Sequence, residues 1–492
     1  MRSVAVLSAL LWLVSFVMCF ALLATPIFEG RHGLMNITES FGALERVALW
    51  QRSLSWFPGG HADGTFVTWP KPLITWAFRI CLVVMFLLQW LAFQTAWRTH
   101  RSSLWTWLIG PIGAQIIMLL MAPSNADVFY YAMSGDMANN GVNPYLTELY
   151  KVAENPLYPY NHWIEITAVY GPLWTLINQG ITGLVGNDPT RVILAYKIFF
   201  GIVAIVVAVA VWLAARLLRI RPRFAVAAAA LVAWQPNMLI ESAGQGHNDP
   251  LMMGFVLAAV TLTILGAGKA TQGGVILVTL SALIKYVSLP MLGIVALTRL
   301  GRDRGNRRIF VGWAIDIFTF GAVLMALFGP YWTGLKVLQE MVTEPGRIYT
   351  NPIWFGQFVV IRQFHVGAAE LFREITRPML QVSAIILILI VIVRFGMVMW
   401  DTKETGLSSQ GYLPVWTRAV LIAFATIFGI LAFVPVNTHP WYWTWPVVPV
   451  ALLVAWDGED REIEPNGHRW FVPYIVLTAV LTLIYHTRIV SP

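Results

Sequence analysis

Cysteine is almost absent from this chain of 492 residues. The two cysteines, Cys19 and Cys81, both lie inside apolar runs. A disulfide framework or a cysteine metal site would need more cysteines, at characteristic spacings. The sequence therefore excludes both kinds of site.

Charge is scarce as well, since 12% of the residues are charged whereas 58% are hydrophobic. Many apolar runs reach the ~20 helical residues that cross a hydrocarbon core. The net charge is +8, and the basic residues lie in short loops between these runs. Basic loops of this kind set the orientation of membrane helices. They do not form a basic face that could bind nucleic acid. We expect an all-α polytopic protein with the lipid bilayer as a partner and no nucleic acid.

About 13 spanning helices are expected from these runs. The first is too long for the ~7–15 residues of a signal-peptide core. Residues 171–185 are interpreted as a helix lying on the membrane, and 272–299 as two short helices interrupted at Lys285 and Pro290. The predicted spans are 4–28, 72–97, 103–121, 190–219, 222–241, 250–267, the pair in 272–299, 309–330, 378–399, 415–435, 442–456 and 470–488.

Arginines orient these spans. They cluster in the loops after the second, fourth and eighth predicted spans, and this assignment puts all three loops on one side of the membrane. Because positive loops face the cytoplasm, we expect a cytoplasmic N-terminus and an extracytoplasmic active site in the plasma (inner) membrane. The chain is interpreted as a single domain, 1–492, with an external catalytic loop at 122–189 and a second external loop at 331–377.

Asp127 opens a polar, aromatic stretch immediately after the third span. An acid at such a junction can be an ordinary solvated residue. Asp136 lies nine residues further on. If the segment is helical, ~100° per residue places Asp136 on the opposite side of the helix from Asp127. The two carboxylates therefore do not form the facing pair that a glycosidase needs. A phosphate leaving group departs as an anion and needs no general acid. We therefore predict that Asp127 is a general base, with Tyr131, Tyr145 and Tyr170 binding sugar or acceptor.

Three side chains are predicted to bind a donor phosphate: Lys285, Arg347 and His439. Lys285 lies at membrane depth, where an ionisable group is costly and is more often functional. A snorkelling lysine and a solvated arginine are the plain alternatives. Trp441 and Tyr442, which follow His439, are predicted to stack on sugar, although aromatic belts are common at membrane interfaces.

The segment 241–250 brings Glu, Gln, His, Asn and Asp together in one turn. One of them could cap the next helix ahead of Pro250, but a cap needs a single side chain. We therefore predict that Glu241, His247, Asn248 and Asp249 bind a polyhydroxylated ligand. Their spacing matches no metal signature, so neither a metal site nor another cofactor is predicted, and metal dependence stays open.

Six elements in a fixed order resemble a known family. They are Asp-Val-Phe-Tyr-Tyr (127–131), Gly-Val-Asn-Pro-Tyr (141–145), Val-Tyr-Gly-Pro-Leu-Trp (169–174), Gly-His-Asn-Asp (246–249), Lys285 and His-Pro-Trp-Tyr (439–442). The first three resemble the external loop of the C-superfamily (GT-C) of glycosyltransferases. The full set resembles the polyprenol-phosphate-mannose-dependent α-mannosyltransferases A/B that extend bacterial lipoglycan cores, usually with α-1,6 linkages.

The resemblance implies a GT-C-type fold in which external juxtamembrane helices cover a cavity. It implies that Asp127 is the catalytic aspartate, that the reaction inverts the anomeric carbon, and that the acceptor is a glycan or glycolipid hydroxyl. Mannose and the 1,6 linkage rest on this analogy alone.

Three alternatives compete with this interpretation. One keeps the superfamily but changes the acceptor to a protein hydroxyl or a lipid-linked saccharide. A transporter would be expected to contain internal repeats and polar breaks at the bilayer midplane, and neither is visible in the sequence. A polysaccharide ligase or polymerase of the cell envelope would use a diphosphate-linked donor. No large soluble module for a nucleotide sugar is evident, which fits a donor that is delivered in the membrane.

Overall fold

The chain folds into a helical bundle with one two-residue β pair among the residues described. The computed structural model describes residues 2–23, 59–60, 66–67, 71–99, 103–121, 127–161, 163–266, 269–303, 307–334, 361, 364–401, 416–435, 438–461 and 471–489. The strands β1 (Gly59–Gly60) and β2 (Phe66–Val67) pair antiparallel, with Gly59 opposite Val67.

The helices follow the apolar runs closely. They are α1 (Arg2–Leu23), α2 (Lys71–Arg98), α3 (Leu104–Met118), α4 (Asp127–Asn139), α5 (Pro172–Val185), α6 (Pro189–Leu217), α7 (Pro222–Ala233), α8 (Pro236–Leu239), α9 (Asp249–Leu265), α10 (Lys269–Ala282), α11 (Pro290–Asp303), α12 (Arg308–Phe328), α13 (Val366–Asp401), α14 (Thr417–Phe433), α15 (Val447–Arg461) and α16 (Phe471–Ile489). A π-helical turn, Ile240–Gly244, and short 3-10 turns connect several of them.

Within the described residues, four helical segments are long and apolar enough to cross a membrane: 76–98, 189–217, 308–331 and 366–401. The bent pair 222–233 and 236–244 adds a fifth if its 61° break lies within one span. Seven further apolar helices are shorter. The chain is thus helical with several apolar helices, and the expected number of about 13 spans stays a prediction.

Proline residues explain where several of the helices begin. Pro172, Pro189 and Pro222 each occupy the first turn, where a missing backbone N–H costs nothing. Asp188 caps α6 by accepting a 2.9 Å hydrogen bond from the backbone N–H of Arg191. The break predicted inside 272–299 is present, because α10 ends at Ala282 and α11 begins at Pro290.

Both predicted external loops contain helices. The segment 122–189 carries α4 and α5, which pack against each other. The second external loop, predicted at 331–377, overlaps α13, which already begins at Val366 rather than near residue 378. The predicted span 378–399 lies within this helix, whose first part carries the charged residues that precede the apolar run.

Alanine makes the centre of the bundle dense. Helix α7 is buried along its length from Phe224 to Ala233, and it packs against α2, α6 and α15. Small side chains let these helix axes approach closely. Ion pairs tie the arginine-rich start of α7 to the end of α15: the Arg221 guanidinium lies 3.0 Å from the Glu459 carboxylate.

Candidate functional site

Asp127 is the first residue of α4 and is largely buried. Its Oδ1 accepts a 3.0 Å hydrogen bond from the indole N–H of Trp163. Its Oδ2 lies 3.5 Å from Nε2 of His247. A carboxylate at a helix N-terminus also faces the positive end of the helix dipole. The surroundings therefore stabilise the ionised form of Asp127.

His247 lies between two carboxylates. Its Nδ1 is 2.9 Å from Oε2 of Glu241, opposite the nitrogen that faces Asp127. The backbone N–H of His247 also donates to the Glu241 carbonyl over 2.9 Å. The turn requires Gly246, which has a φ of +78° and a Cβ position only 2.9 Å from Val128. This turn brings the imidazole against the start of α4.

Mutual stabilisation sets the protonation states of this group. Burial alone would raise the pKa of Asp127, but the hydrogen bond and charge of His247, with the Trp163 indole, lower it below the ordinary aspartate value. Burial would lower the pKa of His247, but the Asp127 and Glu241 carboxylates raise it to about 9. At neutral pH the Asp127 carboxylate is thus ionised beside an imidazolium ion.

Trp441 joins the two histidines of the site. Its ring stacks on His247 at 4.0 Å on one side and on His439 at 4.3 Å on the other. Burial lowers the pKa of His439 to about 3, an effect that Asp127 opposes and Lys285 and His247 reinforce. His439 is therefore neutral and could meet a phosphate as a hydrogen-bond donor, without a positive charge.

Lys285 occupies an aromatic box beside this stack. Its Nζ donates to Oδ1 of Asp249 over 2.8 Å and lies 4.6 Å from the ring centre of Tyr442. The rings of Trp445 and Tyr170 lie 5.3 and 5.8 Å from the same nitrogen. Such rings stabilise an ammonium ion by cation–π interaction. An ammonium has three donors, so the bond to Asp249 uses one of them.

The element Gly-Pro-Leu-Trp contacts the turn that precedes Lys285. A Cβ on Gly171 would lie 2.2 Å from the Leu283 carbonyl oxygen, so only glycine fits there without a shift of the backbone. The backbone N–H groups of Gly171 and Trp174 donate to Ile284 and Leu283 over 3.3 and 3.2 Å. The start of α5 is therefore bonded to the backbone that leads directly into Lys285.

Two tyrosines connect α4 to the aromatic box. The hydroxyl groups of Tyr131 and Tyr170 lie 3.4 Å apart, and the rings meet edge to face at 5.3 Å. Tyr131 is fully buried against Trp174 and Tyr196, whereas Tyr170 is partly exposed. Of the two, Tyr170 is the better placed to touch a substrate.

The structure brings most of the predicted residues together. One chain of contacts joins six of them: Asp127, Glu241, His247, His439, Trp441 and Tyr442. Four more adjoin this chain through Tyr442: Lys285, Asp249, Tyr170 and Tyr131. Asn248 lies in the same turn and is fully buried. Arg347 lies outside the described residues.

Tyr145 is the exception among the predicted sugar-binding residues. It is fully buried in a second hydrophobic cluster with Phe328 and Tyr331, and its hydroxyl shares a 2.8 Å hydrogen bond with Thr175. Asn143 accepts from the Tyr145 backbone N–H and donates to the Tyr331 carbonyl. The element Gly-Val-Asn-Pro-Tyr thus anchors the connection between α4 and α5, because the Asn143 side chain and the Tyr145 hydroxyl both bond to protein groups.

Two residues were missed in the sequence: Trp163, which bonds the Asp127 carboxylate, and Lys197, which bonds backbone carbonyls that precede Asp127. Trp163 was missed because a lone tryptophan in a loop gives no signal of its partner. Lys197 is buried in α6, where its Nζ donates to the carbonyls of Leu119 and Met121 over 2.8 and 2.6 Å. An interrupted apolar run was the available signal, because a lysine within a span needs internal partners.

No cluster of three or more histidine, cysteine, aspartate or glutamate side chains in the described ranges could hold a metal ion. Asp127 and Glu241 both face His247, which separates them. The arrangement is a row of a carboxylate, an imidazole and a second carboxylate (Asp127, His247 and Glu241), which lies beside Lys285 in its aromatic box.

The family model and the similar proteins all point to one family. The sequence model of the family described as "Alpha-(1->6)-mannopyranosyltransferase, N-terminal domain" matches residues 34–301, more than half of the chain. No solved structure matches.

Three relatives illustrate the similarity. "Alpha-(1->6)-mannopyranosyltransferase A" of Mycobacterium tuberculosis is 26% identical over 372 residues, which cover 72% of this chain and 65% of the relative. The A enzyme of Corynebacterium glutamicum is 33% identical over 180 residues, 35% of this chain and 34% of the relative. The B enzyme of that organism is 23% identical over 363 residues, covering 68% of this chain and 56% of the relative. The chain thus spans just under two thirds of the M. tuberculosis protein's length.

Proposed function

Because this chain belongs to the alpha-(1->6)-mannopyranosyltransferase family, we propose that it is a membrane mannosyltransferase that uses a polyprenyl phosphate sugar as its donor. It transfers the sugar to a hydroxyl of a glycan or glycolipid and inverts the anomeric carbon. The site faces the extracytoplasmic side of the plasma membrane, an orientation that rests on the arginine-rich loops.

The position of Asp127 is the observation that carries this proposal. In the row Asp127–His247–Glu241, the side chain of Asp127 is 11% exposed, whereas those of His247 and Glu241 are 0% and 3% exposed. An acceptor hydroxyl can therefore reach Asp127 before either of the others. The lowered pKa of Asp127 keeps it ionised and able to accept a proton at neutral pH.

One base is sufficient for the reaction. As the acceptor oxygen bonds to the anomeric carbon, its proton passes to the Asp127 carboxylate. The bond between that carbon and the phosphate oxygen breaks, and the lipid phosphate leaves with the bonding electron pair. A phosphate leaving group is already an anion, so no second acid has to protonate it.

Lys285 is the cation that we assign to this phosphate. It lies in the aromatic box that adjoins the histidine stack, and its ammonium keeps donors beyond the one used by Asp249. A fixed positive charge stabilises the charge that develops on the leaving oxygen. His439 is neutral and could add a hydrogen bond.

The test is transfer of radiolabelled mannose from synthetic polyprenyl-phosphate-mannose to a mannoside acceptor by the purified protein. Asp127→Asn keeps the size and one acceptor atom but removes the base, so turnover should fall by about 10²–10⁴-fold while donor binding survives. Product formed by the wild type and lost in the variant supports the donor, the class and the base together.

Asp136→Asn is the matched control. It makes the same chemical change on the same helix, where Asp136 accepts a hydrogen bond from Asn155 and does not contact the row. Its turnover should stay within about threefold of the wild type, the range expected away from the reacting atoms. Full activity of Asp127→Asn would contradict the assignment of Asp127 as the base. No product from any lipid-phosphate sugar would contradict the transferase function and would direct attention to transport.

A further inference from the structure

The sequence predicts that Glu241 and His247 bind sugar or acceptor, but the structure leaves their side chains little opportunity to do so. Both ring nitrogens of His247 face carboxylates, and Trp441 covers one face of the ring. The side chains of His247 and Glu241 are 0% and 3% exposed. A substrate hydroxyl would have to displace a protein partner to reach either residue.

We propose that His247 and Glu241 are positioning residues, which hold the Asp127 carboxylate in place and keep it ionised for the transfer reaction. The proposal rests on the assignment of Asp127 as the base in the proposed function. It differs from a ligand-binding role because both residues act through Asp127.

The charges of the row give the physical reason. Without a cation between them, the carboxylates of Asp127 and Glu241 would be two buried like charges, and one of them would take up a proton. An imidazolium ion compensates both, and its Nε2 faces the oxygen of Asp127 opposite the one bonded by Trp163. With both oxygens engaged, the carboxylate is held in one orientation.

Other charged or titratable groups surround the row from the neighbouring elements. Asp249 and Lys285 form a neutral pair, His439 lies beyond Trp441, and Tyr131 and Tyr170 interact electrostatically with Asp127. Since burial keeps His439 neutral, His247 is the cation whose ring is in direct contact with Asp127. Its loss should therefore have a larger effect on Asp127 than the loss of any of these other groups.

The experiment compares the pH dependence of kcat/KM in His247→Gln, Glu241→Gln and the wild type, with polyprenyl-phosphate-mannose as donor. In His247→Gln the pKa of Asp127 rises, because the neighbouring cation is lost, so the acid limb of the profile should move to higher pH. In Glu241→Gln the pKa of His247 falls, because one of the two carboxylates that raise it is lost, so the alkaline limb should move to lower pH. The loss of kcat should be smaller than the ~10²–10⁴-fold loss from removing the base itself. The KM values for donor and acceptor should stay near those of the wild type.

Glu241→Asp tests the same idea without removing charge. It keeps a carboxylate toward Nδ1 of His247, so its alkaline limb should lie between those of Glu241→Gln and the wild type. This variant also keeps the inference testable if either charge-removing variant fails to fold. Glu165→Gln and His365→Gln are the matched controls, because both residues are exposed and lie outside the row.

Two results would separate the possible failures. An unshifted acid limb in His247→Gln and an unshifted alkaline limb in Glu241→Gln, with a raised acceptor KM in both, would overturn this inference and return both residues to substrate binding. If Asp127→Asn is inactive at the same time, the proposed function survives. If Asp127→Asn is fully active, the base assignment itself is wrong, whatever the pH profiles of the other variants.

Discussion

Trp163 donates its indole N–H to Oδ1 of Asp127 across 3.0 Å, although 36 residues separate them in the sequence. The bond ties the irregular segment before α5 to the first residue of α4. It lowers the pKa of Asp127 together with His247, against the effect of burial. The same contact fixes the carboxylate and sets its charge.

Trp163→Phe should therefore raise the pKa of Asp127, because it removes the donor and keeps an aromatic ring. Below that pKa the base is protonated and inactive, so the acid limb of kcat/KM should move to higher pH. Well above it, turnover should recover most of the wild-type value. The measurement is the rate profile from about pH 2.5 to pH 8, which extends below the ordinary pKa of an aspartate. Trp105→Phe, at an exposed position on α3, is the control, and an unmoved limb would refute the role given to Trp163.

Lys285→Met should weaken donor binding, since it keeps an apolar stem and removes the charge. Hydrogen bonds to charged groups contribute ~1.5–3 kcal/mol, so the donor Kd should rise by about 10–100-fold. Equilibrium binding of the lipid-phosphate sugar measures it. Unchanged donor affinity in this variant would exclude a phosphate role for Lys285.

The variant also leaves Asp249 as a buried charge without its lysine, which should lower stability. Adding Asp249→Asn removes that charge and should restore much of the melting temperature. Donor binding should stay weak in the double variant, because the cation is still missing. Binding that returns together with stability would instead assign Lys285 a structural role.

Gly171→Ala should destabilise the protein and disturb Lys285. The added methyl group would lie 2.2 Å from the Leu283 carbonyl oxygen, so α5 and the backbone before Lys285 must move apart. We expect a lower melting temperature together with weaker donor binding. Both quantities can be measured on one preparation, by thermal unfolding and by ligand titration.

Gly180→Ala is the control for this change on the same helix. Nothing lies within 4 Å of the position its Cβ would take. Because alanine is favoured over glycine in a helix by ~1 kcal/mol, stability should hold or rise slightly. If the two variants behave alike, the close contact at Gly171 does not govern the site.

Asn248→Leu should separate stability from activity. Neither the amide nitrogen nor the oxygen of Asn248 has a hydrogen-bond partner in the described part of the chain, and the residue is fully buried. An unsatisfied buried polar group costs ~1–3 kcal/mol, so an apolar side chain of similar size should raise the melting temperature. If Asn248 bonds a substrate hydroxyl in the working enzyme, kcat/KM should fall. A stabilised variant with full activity would remove Asn248 from the binding site.

The sequence was sufficient to predict the helical class and the segments that carry the site. Long apolar runs require helices in a bilayer, because every backbone polar group must be satisfied internally. The break between α10 and α11 was predicted because Lys285 and Pro290 interrupt the apolar run there. Asp127 stood out because an acid opened an aromatic stretch directly after an apolar run.

What each residue does was decided by tertiary contacts. Tyr145 and Tyr170 occur in similar motifs, yet Tyr145 is buried in a separate cluster while Tyr170 adjoins Lys285. Sequence spacing predicts the face of one helix, but it does not specify which distant segment packs against that face.

The amino-acid sequence by itself determined that the chain is a membrane protein with acidic, basic and aromatic residues in particular segments. Only the fold decided that His247 lies between Asp127 and Glu241, that Trp163 bonds Asp127, and that Gly171 passes against Leu283. These contacts join residues far apart in the chain. They depend on how helices and turns pack together, which no local pattern of residues records.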